Sequence, residues 1–234
     1  MKKYEHIFFD LDDTLWDFER NAEAALTTLF FDFQLEKLGK NVTLANLKST
    51  FHIINKGLFH QFNENKIDKD ELRESRFLLI LNELGVPKHQ IPFIELGEAY
   101  LANAPFQPHL IPDTQEILMY LKQKNYCLHI ITNGFEEIQH QKIKNTKINH
   151  FFDLVITSEH VKNKKPNKEI FEYALNRLNI NTEQCLMIGD NIGTDILGAK
   201  NINWESIWFN PKNETSTILP THTIQNLLEL KNIL

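Results

Sequence analysis

Asp10, Asp12 and Asp13 stand within four positions, directly behind the apolar run Ile7-Phe8-Phe9. Like charges at this range favour protonation of one another and cost stability unless something neutralises them. The pattern asks for a bound cation, a proton-transfer task, or both. Three more polar clusters follow apolar runs downstream. Thr132-Asn133-Gly134 closes the run 127–132, and Lys162-Asn163-Lys164-Lys165-Pro166 follows 154–158. Gly189-Asp190-Asn191 closes 185–189, and Asp195 lies just beyond. If these runs are strands of one parallel sheet, acids, a hydroxyl, an amide and a lysine meet at one edge, where such sheets bind ligands.

The elements needed to position them are legible. Five short apolar runs, 7–10, 127–132, 154–158, 185–189 and 206–209, are continuous rather than alternating, as in strands buried on both faces. Between them lie helical patterns. Residues 113–124 open with Asp113 and carry Glu116 three positions on, a capping-box-like start. Residues 167–178 follow Pro166, with Asn167 placed as N-cap. Strands alternating with helices predict an α/β, doubly wound parallel sheet. Residues 18–100 differ, reading as helix after helix. Phe51, Ile54, Leu58 and Phe62 recur at helical spacing, and the pattern ending in Leu84 stops at Gly85. The expected organisation is a core of residues 1–17 and 101–234 interrupted by an all-helical insert, 18–100.

Composition excludes several classes. A net charge of −6 gives no basic face for nucleic acid. No apolar run approaches the roughly 18 residues of a membrane span. Met1-Lys2-Lys3 opens like a signal peptide, but acids arrive by Asp10 with no apolar segment of the needed length, so a cytoplasmic protein is expected. Cys127 and Cys185 have neither CxxC partners nor zinc-finger spacing and read as reduced core thiols.

Asp10-x-Asp12-x-Thr14, then Thr132, then Lys165 before Pro166, then Gly189-Asp190-x-x-x-x-Asp195 resemble the four motifs of the haloacid dehalogenase-like hydrolases. The match spans almost the whole chain and is closest to members with a helical cap inserted after the first strand. The resemblance implies Asp10 as nucleophile, forming an aspartyl-phosphate. Its carboxylate must be ionised, which suits an ordinary value of about 3.9. Asp12 would be the general acid and then base, its proton favoured by the crowd of acids around it. Mg²⁺ would be held by Asp10, the Asp12 carbonyl and Asp190, with Asp195 behind them. Thr132 and Asn133 would bind the phosphoryl oxygens, and Lys165 would balance the charge of nucleophile and phosphate. A second acid at Asp12 favours phosphatase or mutase chemistry, since dehalogenase members lack it.

The stretches ITNGFEEIQHQKI, FFDLVITSEHV and KPNKEIFEYAL look most like the pyrimidine 5′-nucleotidase branch. The expected activity is Mg²⁺-dependent hydrolysis of a nucleoside 5′-monophosphate. A sugar phosphate or phosphoglycolate phosphatase, or a phosphomutase, is the alternative, and a binding module without turnover is the reading outside catalysis. The partner expected is a small phosphomonoester, with no nucleic acid and no membrane. Oligomeric state stays open, a monomer being compatible. Asp13 reads as a turn residue, Asn191 as a turn residue or an aid to the site, and Trp16 as helix or hinge packing ahead of a substrate contact. His52, Asn55, Lys56 and His60 read as a polar helix face that could meet substrate.

Overall fold

The computed structural model describes residues 4–234; Met1–Lys3, with their signal-like charge, lie outside them. The chain folds into two compact units, residues 1–17 with 108–234 and residues 18–107. The helical segment thus runs to Gln107 rather than to residue 100.

The first unit is built on β1 (His6–Phe9), a strand whose Ile7, Phe8 and Phe9 have no solvent exposure. Three consecutive apolar side chains let it lie at the centre of a sheet covered on both faces. β2 (Cys127–Thr132) and β3 (Leu154–Thr157) stack outward on one side. β4 (Cys185–Gly189), β5 (Glu205–Phe209) and β6 (His222–Ile224) stack on the other, giving the order β3-β2-β1-β4-β5-β6. Every pairing is parallel, and Phe9 is level with Ile130 on β2 and Ile188 on β4. Strand order reverses between β1 and β4, which opens the crevice beyond their carboxyl ends where open α/β sheets take ligands.

The helices of the second unit are α1 (Phe18–Asp32), α2 (Leu44–Asn63), α3 (Lys69–Glu83) and α4 (Phe93–Asn103). Asp68 caps α3 in a full capping box with Glu71, and Gly85, at φ +88°, ends the turn behind it. Phe51, Phe77 and Tyr100 bring their rings together in its core. The expected polar face on α2 is not one surface: Asn55 is buried, His52 faces Glu23 at 3.5 Å and His60 faces Glu64 at 3.6 Å.

Back in the sheet unit come α5 (Thr114–Gln123), α6 (Glu136–Asn145), α7 (Ser158–Val161), α8 (Lys168–Leu178) and α9 (Leu197–Asn201). A π-helical turn, Ile192–Ile196, precedes α9. The capping box expected at α5 does not form. Asp113 sits at φ +66° with no capping bond, and its carboxylate accepts from Asn226 at 3.3 Å instead. Both cysteines are free thiols. Among the described residues no helix is long and apolar enough to cross a membrane.

Candidate active site

The backbone of β1 is carried one residue past the strand by Asp10 N–H donating to Ile188 at 2.9 Å. Asp10 is thereby held in the crevice, 8% exposed. The chain then turns: Asp13, at φ +59°, donates its N–H to the Trp16 carbonyl, and Leu15 and Trp16 donate to Leu11. Asp13 and Asn191 are turn residues; the Asn191 side chain accepts from the amides of Gly193 and Thr194. Thr14 ties this loop to the next, donating to Asp190 Oδ1 at 3.1 Å and accepting from the Asp190 N–H at 3.0 Å.

Lys165, not Lys164, reaches the nucleophile candidate. Its Nζ lies 2.6 Å from Asp10 Oδ1, 2.7 Å from Asp195 Oδ1 and 2.7 Å from the Ile131 carbonyl. Burial opposes the Lys165 charge, but Asp10 and Asp195 outweigh it and hold the ammonium above its usual pKa. Burial pushes the Asp10 carboxyl up to about 7; Lys165 opposes the rise, and Asp195 and Asp12 add to it. The ordinary carboxyl value expected from the sequence therefore does not hold, because the group is out of water among other acids. Asp190 is likewise lifted well above the usual range by burial, with Asp10 and Asp195 contributing.

Asp10, Asp190 and Asp195 each offer an oxygen within 4.8 Å of the others. Asp195 spends its oxygens on the Asn191 amide at 3.0 Å and on Lys165. Gly189 makes room for it, since a Cβ there would meet Asp195 Oδ2 at 2.2 Å. Asp10 and Asp190 each keep one oxygen without a partner among the described residues. Three carboxylates against one ammonium leave an excess negative charge beside two unspent oxygens. That is an all-oxygen donor set of the kind a hard divalent cation takes.

On the β2 side, Thr132 Oγ1 accepts from Gly134 N–H and from Gln139, both at 3.0 Å. With both lone pairs used, its own proton is left to donate outward, the right polarity for a phosphoryl oxygen. Asn133, next along the chain, holds the lysine loop. Its amide accepts from the Lys165 N–H at 2.8 Å and donates to the Lys165 carbonyl at 2.9 Å. It straps the lysine's backbone.

Around Asp12 the surroundings also differ from those expected. Lys142 Nζ lies 2.6 Å from Oδ1 and Gln139 Nε2 lies 2.7 Å from Oδ2, so an ammonium and an amide, not acids, touch this carboxylate. Neither residue stands out in the sequence. In the structure the buried positions of α6 are Gln139, Lys142 and Ile143, so polar side chains occupy a face that packing alone would fill with apolar ones.

Comparison with known proteins gives a consistent picture. The model of the haloacid dehalogenase-like hydrolase family matches residues 7–209. A HAD-hydrolase of Bacillus subtilis, YfnB, is 32% identical over 100% of this chain and 97% of its own. Its magnesium-bound crystal structure superposes with a TM-score of 0.87 at 31% identity, covering 99% of each chain. The pyrimidine 5′-nucleotidase YjjG of Escherichia coli is 30% identical over 99% of this chain and 98% of its own. A glyceraldehyde 3-phosphate phosphatase of Methanothermobacter thermautotrophicus is 35% identical over 87% of this chain and 84% of its own.

Proposed function

The chain belongs to the haloacid dehalogenase-like hydrolases, and we propose that within them it is a phosphomonoester hydrolase, acting on a nucleoside 5′-monophosphate of the pyrimidine series. The observation that carries the phosphatase reading is the pair of acids on one loop. Asp10 is buried against Lys165, while the Asp12 side chain, 29% exposed, stands two residues on with a different set of partners. Two carboxyls in unlike surroundings supply a nucleophile and a separate proton carrier.

In this reading Asp10 attacks phosphorus as the ester P–O bond breaks, giving an aspartyl-phosphate. Asp12 gives its proton to the departing alcohol oxygen. Water then attacks phosphorus and passes a proton to Asp12, releasing inorganic phosphate and restoring Asp10. Thr132 donates to a phosphoryl oxygen, and Lys165 keeps positive charge beside the nucleophile throughout. Asp10 and Asp190, with the Asp12 carbonyl and with Asp195 behind them, would hold Mg²⁺. When bound, that ion would offset the charge on the phosphoryl oxygens and orient them for in-line attack.

The nucleotide assignment is supported by full-length relatives named pyrimidine 5′-nucleotidases in Escherichia coli and Streptococcus pneumoniae. The glyceraldehyde 3-phosphate phosphatase at 35% identity favours a small sugar phosphate as the second reading. The helical insert is assigned the choice of leaving group. Phosphate release from UMP, dUMP, dTMP, sugar phosphates and phosphoglycolate, with Mg²⁺ and with EDTA, decides between them. Mg²⁺-dependent release strongest on the nucleotides is expected. Release from small esters alone would move the assignment to the second reading, and turnover only with a bisphosphate activator would mark a mutase.

A further inference from the structure

Three features of the sheet unit converge on the carboxylate of Asp12 without any role in the chemistry above. Gln139 and Lys142 lie one turn apart on α6, 0% and 4% exposed, and each takes one oxygen of Asp12. Gln139 also donates to Thr132 Oγ1, so one amide spans the phosphoryl-binding hydroxyl and the second acid. Trp16 covers the other side of the lysine, its ring centroid 4.2 Å from Nζ, and the loop pairs Asp12 with Trp16 in an isolated bridge. Space for the amide exists only because residue 134 is glycine; a Cβ there would meet Gln139 Nε2 at 1.6 Å.

Burying a lysine and a glutamine on a helix face costs free energy unless both are paired. Here both donate to the same carboxylate, and Gln139 donates to Thr132 as well. Each carboxylate oxygen has two lone-pair directions, so a bond from α6 to each leaves one direction per oxygen for a proton or a ligand. The side chain is held in orientation while its outer edge stays usable.

We infer that Lys142 and Gln139 are positioning residues that, backed by Trp16, hold the Asp12 carboxyl in line with the oxygen of the departing alcohol. This rests on the proposed phosphatase reading, in which the proton of Asp12 moves to that oxygen as its bond to phosphorus breaks. The consequence is specific to the leaving group. An alkoxide needs the proton in the first step; p-nitrophenolate leaves without it. Misaligned Asp12 therefore slows phosphoryl transfer from alkyl esters and spares transfer from the aryl ester.

The test measures kcat/KM, which reports steps through transfer to Asp10, on UMP and on p-nitrophenyl phosphate for wild type, Asp12→Asn, Lys142→Met and Lys142→Arg. Lys142→Met is expected to lose about 10- to 100-fold on UMP, below or at the low end of a lost general acid, and less than about threefold on the aryl ester, whose retained turnover shows an intact fold. Lys142→Arg, which can still donate to Asp12 and stack on Trp16, should recover most of the UMP loss. Equal losses on both esters, or no loss on UMP, overturn the inference. If Asp12→Asn shows the leaving-group bias and Lys142→Met does not, the positioning role alone falls. If Asp12→Asn lacks the bias, or wild type hydrolyses neither ester, the phosphatase reading falls and takes the inference with it.

Discussion

Asp195 Oδ1 lies 2.7 Å from the Lys165 ammonium, and the two side chains are 1% and 2% exposed. Asp10 meets the same ammonium at 2.6 Å. One lysine thus offsets two buried carboxylates, and removing it leaves both uncompensated in a low dielectric. Breaking a buried pair from one side costs about 3–5 kcal/mol. Lys165→Met should lose roughly that much stability in urea unfolding at neutral pH, together with all measurable turnover. A loss below about 1 kcal/mol would mean that this ammonium does not stabilise the fold through its two ion pairs.

Asp10→Asn should abolish turnover, because an amide cannot act as the carboxylate nucleophile, and should also change the pH dependence of stability. The folded carboxyl binds its proton up to about pH 7, the unfolded one only up to 3.8. Across that window the folded state carries more protons, so this group's contribution to stability falls as pH rises. Urea midpoints from pH 4 to 8 in EDTA should show wild type losing stability relative to Asp10→Asn as pH rises. Parallel curves would show that Lys165 outweighs burial at this carboxyl.

The strands that carry the site were readable because burial on both faces demands an apolar side chain at every position, as at Ile7, Phe8 and Phe9. β6 was not, since it lies at the sheet edge and buries only Ile224 of its residues, leaving no run to detect. That Asp10, Thr132 and Asp190 fall at strand ends, and that Lys165 and Asp195 lie in segments beyond β3 and β4, was legible from the apolar runs. Lys142 and Gln139 were not. Their role depends on which face α6 turns toward the β1 loop, and that is a matter of tertiary packing. The same limit applies to the Asn133 amide, whose pairing with the backbone of Lys165 is set by how the two loops pack.

In the proposed phosphatase reading, the excess negative charge at Asp10, Asp190 and Asp195 would make Mg²⁺ a stabilising ligand as well as a catalytic one. A ligand at about 100 times its Kd adds roughly 2.7 kcal/mol, which for a chain of this size raises Tm by roughly 5–10 °C. Calorimetry with Mg²⁺ against EDTA should show a rise of that order in wild type. Asp190→Asn, which keeps the fold's charge balance closer to neutral but removes an unspent ligand oxygen, should lose most of the rise. An equal rise in that variant would place the ion elsewhere.

At the opposite end of β1, His6 Nδ1 lies 3.0 Å from His129 Nε2, and the His129 ring stacks on those of His6 and Phe8. Burial lowers the His129 pKa from 6.5 to about 4, with His6 adding to the shift. Between those values the unfolded chain binds a proton that the folded chain refuses, so this group's contribution rises with pH across the window and is lost as pH falls from about 6.5 toward 4. The full change is up to roughly 3 kcal/mol. It runs opposite in sign to that of Asp10 over much of the same range, so wild type alone would show only their difference. Separate variants resolve them. His129→Leu should remove the acid-side loss, its urea midpoint falling less than that of wild type between pH 6.5 and 4.5, while Asp10→Asn leaves that loss in place. If His129→Leu follows wild type throughout, the imidazole is protonated in the folded state through its contact with His6, and the strand pair tolerates the charge.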